Sequence, residues 1–157
     1  MKKFKLTSEF IVDISGVKLF RIKALIEFGN VKAGDLGGYI EKEENLSHMG
    51  DAWVSDDARI SGNAQVFGNA QVFGDAQVFG DARVSGDKDY AYAHGFGSCN
   101  RTTTFFRLKD GDVGVRCGCF YGTLAQFRDK VCETHGETKK AQEYLMLADL
   151  MEIRFKN

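Results

Sequence analysis

The chain has 157 residues, a formal net charge of -1, 18 glycines and no proline. That length suits one domain, or a small domain with an attached module, and the near-zero charge excludes a global attraction to nucleic acid or to an acidic membrane surface. No apolar run approaches the roughly 20 residues that span a bilayer, and the first ten residues, MKKFKLTSEF, lack the apolar core of a secretion signal; the expectation is a cytoplasmic protein with no membrane partner and no direct nucleic-acid binding.

Taken in order, Phe10 to Ile14 and Val17 to Ile26 read as strands joined by a turn at Ser15-Gly16, with alternation through Leu19, Arg21 and Lys23. This predicted hairpin fills residues 1-37 as a cap, because the open end of a repeat stack exposes unpaired backbone. Gly34, Gly37 and Gly38 follow, three glycines in five residues. No helix comes after them to aim its N-terminus at an anion, so they read as a plain turn rather than a phosphate loop.

From Gly62 to Phe79 a six-residue unit occurs three times, GNAQVF, GNAQVF and GDAQVF. The same phase extends back through GDAWVS and DDARIS, which begin at Gly50, and forward through GDARVS to Ser85. GYIEKE and ENLSHM, beginning at Gly38, are looser versions that keep Ile40 and Leu46 at the third position. In the clear hexads the third residue is Ala and the fifth is Val or Ile, alternating with outward residues as in a short half-buried strand. Gly, Asp and Asn in the first two positions suit a turn after each strand. A short strand and a turn every six residues make one side of a prism, so residues 38-87 are expected to form a parallel β-helix with residues 18 apart stacked.

The stack predicts what lies outside. Trp53, Phe67, Phe73 and Phe79 point outward, and rings around a thin shaft mark an interface with another chain or with the protein's own ends. Residues 38-87 carry a net charge of -6 against +5 for the remainder, and Asp51, Asp57, Asp75 and Asp81 give the shaft an acidic face. Carboxylates at regular spacing suggest imitation of a nucleic-acid backbone as one function.

After Asp87 the repeat stops. Residues 88-100 read as an irregular connector; Thr102 to Leu108 and Val113 to Phe120 are strands around Lys109-Asp110-Gly111-Asp112. Thr123 with Gln126 forms a capping box for a helix that ends near His135-Gly136, and a second helix starts after Thr138. Residues 88-157 are thus predicted to be a small ββαα module. Arg101, Thr103, Arg107 and Arg116 form a candidate anion-binding face on its sheet. Cys117 and Cys119 alternate onto one face as core thiols; Cys99 with His94 or His135 adds enough ligand atoms for a metal, but the spacing selects none, and no cofactor or metal is expected.

The hexads resemble those of the hexapeptide-repeat proteins, and this resemblance implies a left-handed parallel β-helix. The fold expected is mainly β with C-terminal helices: a short left-handed parallel β-helix, an N-terminal hairpin cap and the C-terminal module. Phe67, Phe73 and Phe79 occupy a slot where the family often has a small or acidic residue. The lead-in AGDLGGYIE, the GNAQV hexads and the tail NRTTTFFR with CGCFYGTLAQF are similar to short phage and prophage proteins. Family resemblance also implies a side-by-side homotrimer, and for its acyltransferases a histidine base. His94 is the catalytic candidate under that alternative, with an acyl-coenzyme A donor; His48 reads as a packed coil-end residue. The function expected is that of a non-enzymatic phage-type interaction protein, which oligomerises, binds a host or phage protein and inhibits a host enzyme or defence system.

Overall fold

The computed structural model describes residues 2-97, 101-118 and 120-156. β1 (Phe4–Val12) and β2 (Lys18–Ala24) form an antiparallel hairpin. Asp13 closes its turn by accepting hydrogen bonds from the backbone N–H groups of Ser15 and Val17, and Gly16 supplies the positive φ of 85°. The strand starts at Phe4, earlier than the predicted Phe10, because Phe4 is fully buried in the shaft core. β2 pairs on its other edge with β3 (Leu36–Ile40). Gly37 and Gly38 are part of this strand rather than a turn. A Cβ on Gly37 would stand 2.5 Å from the Val54 carbonyl oxygen, and one on Gly38 2.6 Å from that of Ala58, so these glycines permit close backbone approach.

A short 3-10 turn at Glu43–Asn45 leads into the hexads. Asn45 is fully buried: it accepts from the Lys42 N–H and donates to the carbonyls of Gly62 and Ala64. The hexads then give six two-residue strands: β4 (Trp53–Val54), β5 (Arg59–Ile60), β6 (Gln65–Val66), β7 (Gln71–Val72), β8 (Gln77–Val78) and β9 (Arg83–Val84). β4 pairs with β7, β5 with β8 and β6 with β9, all in parallel and all 18 residues apart. Consecutive strands therefore belong to three different ladders. β3 adds to the second ladder through Tyr39–Arg59 and Ile40–Ile60, making the sheet order β1-β2-β3-β5-β8. Every third-position alanine and fifth-position valine or isoleucine is fully buried. Where one hexad begins with Asp56 instead of Gly, that residue takes φ 56° and its carboxylate accepts from the Gly74 N–H.

β10 (Tyr90–Phe96) follows the last hexad and pairs with β11 (Arg101–Arg107); β12 (Val113–Cys117) and β13 (Phe120–Thr123) complete a sheet in the order β10-β11-β12-β13. The predicted connector is thus largely a strand, and the module has four strands rather than two. Its alanines and glycine carry little strand signal, but tertiary contacts fix it: the Tyr90 hydroxyl donates to the Gln71 carbonyl at 2.6 Å, and Tyr90 and Tyr92 meet Phe73 edge-on. α1 (Leu124–His135) and α2 (Lys139–Arg154) cover the other face. Thr123 and Gln126 make the capping box, Gly136 ends α1, and Thr138 caps α2. Between these helices and the sheet lies a second core, which includes Phe105, Val115, Phe127 and Tyr144. Among the described residues no helix is long and apolar enough to cross a membrane.

Candidate functional site

The hairpin turn, the shaft and the C-terminal sheet meet around a cleft of about 310 Å³. The hairpin contributes Asp13 and Ile14, the shaft Arg59, Ser61, Gln77 and Phe79, and the sheet Arg101, Thr102 and Arg116. Arg59 projects from the outward fourth position of its hexad and is half-buried, yet it forms no hydrogen bond or ion pair with any described residue. Arg116 is only 5% exposed; its guanidinium lies 4.2 Å from the Phe79 ring centroid, and its Nε donates to the Gly118 carbonyl. Arg101 is exposed at the start of β11. The Thr102 hydroxyl is hydrogen-bonded to His94 Nδ1 at 2.7 Å.

A hollow of about 490 Å³ continues the cleft, sharing Arg59, Gln77 and Thr102 and adding Tyr39, Asp57, Asp75 and His94. The combined groove has guanidinium groups at one end and carboxylates at the other. Arg21 lies 3.7 Å from Asp57, whereas Asp75 has no ion-pair partner among the described residues.

The predicted anion-binding quartet is divided by strand alternation. Arg101 and Arg116 line the cleft, but Thr103 is fully buried on the helix side, its hydroxyl donating to Cys117 Sγ at 3.3 Å. Arg107 is engaged with Asp89 at 3.3 Å and with the Phe155 carbonyl and ring. Burial raises the Asp89 carboxyl, but hydrogen bonds from Ser85 and Arg107 outweigh it and hold the group below its ordinary range. Arg59 is the functional candidate that the sequence reading missed. Its signal is positional: it stands where the central hexads carry Gln65, Gln71 and Gln77.

The outward rings are partly covered by the chain itself. Trp53 is 4% exposed beneath Phe28, whose loop folds over it at 5.3 Å between ring centroids, so it is a core residue rather than an interface residue. Phe79 is sandwiched by Arg116 and by Tyr121, 4.9 Å away. Phe67 and Phe73 keep 37% and 46% of their surface. The carboxylates do not form one continuous acidic row: Asp81 shares a hollow with Lys42, Arg83 and Lys109, and Asp51 lies near Lys3.

His94 is exposed. His48 is packed, with Nδ1 accepting from the Lys3 N–H, Nε2 on Glu43 and the ring stacked on Phe4. Cys117 faces Tyr144, whose hydroxyl is raised above its ordinary value by burial and by that thiol. Cys99 and Cys119 lie outside the described residues; among the described ones no three His, Cys, Asp or Glu side chains are grouped to hold a metal. Compared with protein-family models and with curated proteins, the sequence matches none.

Proposed function

We propose that the chain is a non-enzymatic interaction protein of the short phage-type hexapeptide-repeat kind, in which a left-handed parallel β-helix holds the hairpin and the C-terminal module as two jaws around a cleft for an anionic group. Three ladders in one 18-residue register, with alanine and valine fully buried, support the coil of three hexads. In this reading residues 1-37 cap the coil, 38-87 build it and 88-157 are displayed by it. Its target is a host or phage component of the bacterial cytoplasm that presents the anionic group, a protein in the first instance, and occupation of that component inhibits a host enzyme or defence system. Self-association as a trimer runs over the part of the shaft where Phe67 and Phe73 remain exposed.

Arg59 carries the functional half: a half-buried guanidinium without a partner among the described residues, sharing one cleft with Arg101 and Arg116. Charge placed in such a site is costly until an anion completes it. Capture from bacterial lysate on immobilised protein, with mass measurement of the native complex, tests this. Arg83→Ala serves as the control, since Arg83 occupies the same hexad position on another ladder and bonds Gln65 instead. A component retained by the parent and by Arg83→Ala but lost by Arg59→Ala supports the reading; retention by Arg59→Ala refutes it.

The 2.7 Å contact between His94 and Thr102 beside the cleft favours one alternative, acyl transfer with His94 as base. Transfer from acetyl-coenzyme A that persists in His94→Ala, or no binding of that donor, eliminates it.

A further inference from the structure

Resting on the cleft as the working surface, we infer that the group it recognises is a nucleoside monophosphate unit, with the phosphate at the arginine end and the base edge at Asp75. The charge count selects the head. Three guanidinium groups against the single carboxylate of Asp13 leave two positive charges in the cleft, which a phosphate monoester dianion neutralises and a carboxylate does not. Ser61, Thr102 and Gln77 add neutral hydrogen-bonding groups around the same space, which suits the several oxygens of a phosphate better than the two of a carboxylate.

The other end selects the tail. On the ladder formed by β5 and β8, hexad position two holds Asp57 and Asp75, position four Arg59 and Gln77, and position six Ser61 and Phe79. At about 3.3 Å per residue, positions two and six stand about 13 Å apart, a length that one nucleotide bridges. Arg59 and Asp75 line the same groove with opposite charge, yet they form no ion pair with each other. Each is left to a ligand. A carboxylate accepts a hydrogen bond from the exocyclic amine of cytosine, and the amines of adenine and guanine are donors of the same kind. Uracil has a carbonyl oxygen in that place and meets Asp75 with repulsion.

Titration calorimetry of the full chain with the four nucleoside 5′-monophosphates, inorganic phosphate and cytidine tests this. Expected is binding of the adenine, guanine and cytosine monophosphates, with uridine monophosphate, inorganic phosphate and cytidine each weaker by about tenfold, the scale of one charge-assisted hydrogen bond. Arg59→Ala removes about tenfold from every nucleotide, and Asp75→Ala brings the cytosine and uracil nucleotides to equal affinity. Both side chains point outward, and melting temperatures unchanged from the parent show that the variants fold. The inference is overturned if none of the four nucleotides binds, if uridine monophosphate is not the weakest, or if Arg59→Ala binds like the parent. Inorganic phosphate binding as tightly as the nucleotides, with loss in Arg59→Ala, overturns the nucleotide while leaving the anionic cleft. Arg59-dependent capture from lysate without any nucleotide binding separates the two readings in the same way.

Discussion

Replacing Lys3 with methionine should change how stability responds to pH. The Lys3 side chain is 1% exposed; its ammonium donates to the carbonyl oxygens of Ala52 at 2.6 Å and Gly50 at 3.3 Å, and lies 4.5 Å from the Phe28 ring centroid. Burial lowers its pKa from 10.5 to about 8, against the attraction of Asp51. The folded value is below the unfolded one, so between about 8 and 10.5 the unfolded chain binds more protons and stability rises with pH. At 1.36 kcal/mol per unit the whole shift is worth about 3 kcal/mol; screening by water near the exposed Asp51 reduces the working figure to about 1–2 kcal/mol. Urea unfolding followed by the emission of Trp53, the sole tryptophan, measures it in both proteins between pH about 7.5 and about 10.5. The parent should gain about 1–2 kcal/mol relative to Lys3→Met across that range. Tyr90, pushed up to about 12 by burial, contributes equally to both and cancels. Parallel curves for the two proteins would refute the reasoning.

Asn45→Ala removes three hydrogen bonds at a fully buried site and should cost about 2–3 kcal/mol in the same urea assay, since the Lys42 N–H and two carbonyls lose their partner. Gly80→Ala combines a φ of 66° with a collision against the Tyr121 hydroxyl, and a loss of about 1–3 kcal/mol is expected in thermal or urea unfolding. Gly86→Ala, with open space around it and no positive φ, is the neutral comparison. Phe67→Ser with Phe73→Ser should turn a trimer into a monomer in sedimentation velocity; a parent protein that sediments as a monomer refutes the assembly.

The parts of the fold that depend on local pattern were legible in the chain. Alanine and valine at hexad positions three and five announce the buried rows, and Thr123, Gln126, Gly136 and Thr138 mark the helix ends because capping is a near-neighbour interaction. β10 was not legible, since Ala91, Ala93 and Gly95 have weak strand preference and the strand is held by Tyr90 and Tyr92 against distant Phe73. Trp53 was read as outward from its position in the hexad, which it is; the loop carrying Phe28 then covers it. For the site, Arg101 and Arg116 were found and Arg59 was not. Grouping Thr103 and Arg107 with them overlooked alternation along β11: Phe105 joins the helix-side core and Phe106 the shaft core.

The three interleaved ladders make the hexad count an angular coordinate. Each hexad moves the chain on to the next ladder, and three hexads bring it back to the same one. Adding 18 residues within the shaft would therefore lengthen it and return the C-terminal sheet to the same side. Adding six would deliver that sheet one ladder further round, carrying Arg101 and Arg116 away from Arg59 while leaving every buried alanine and valine in phase. A family of such chains can thus vary freely in length by whole turns, while any other change in repeat number rewrites which side chains meet across the cleft.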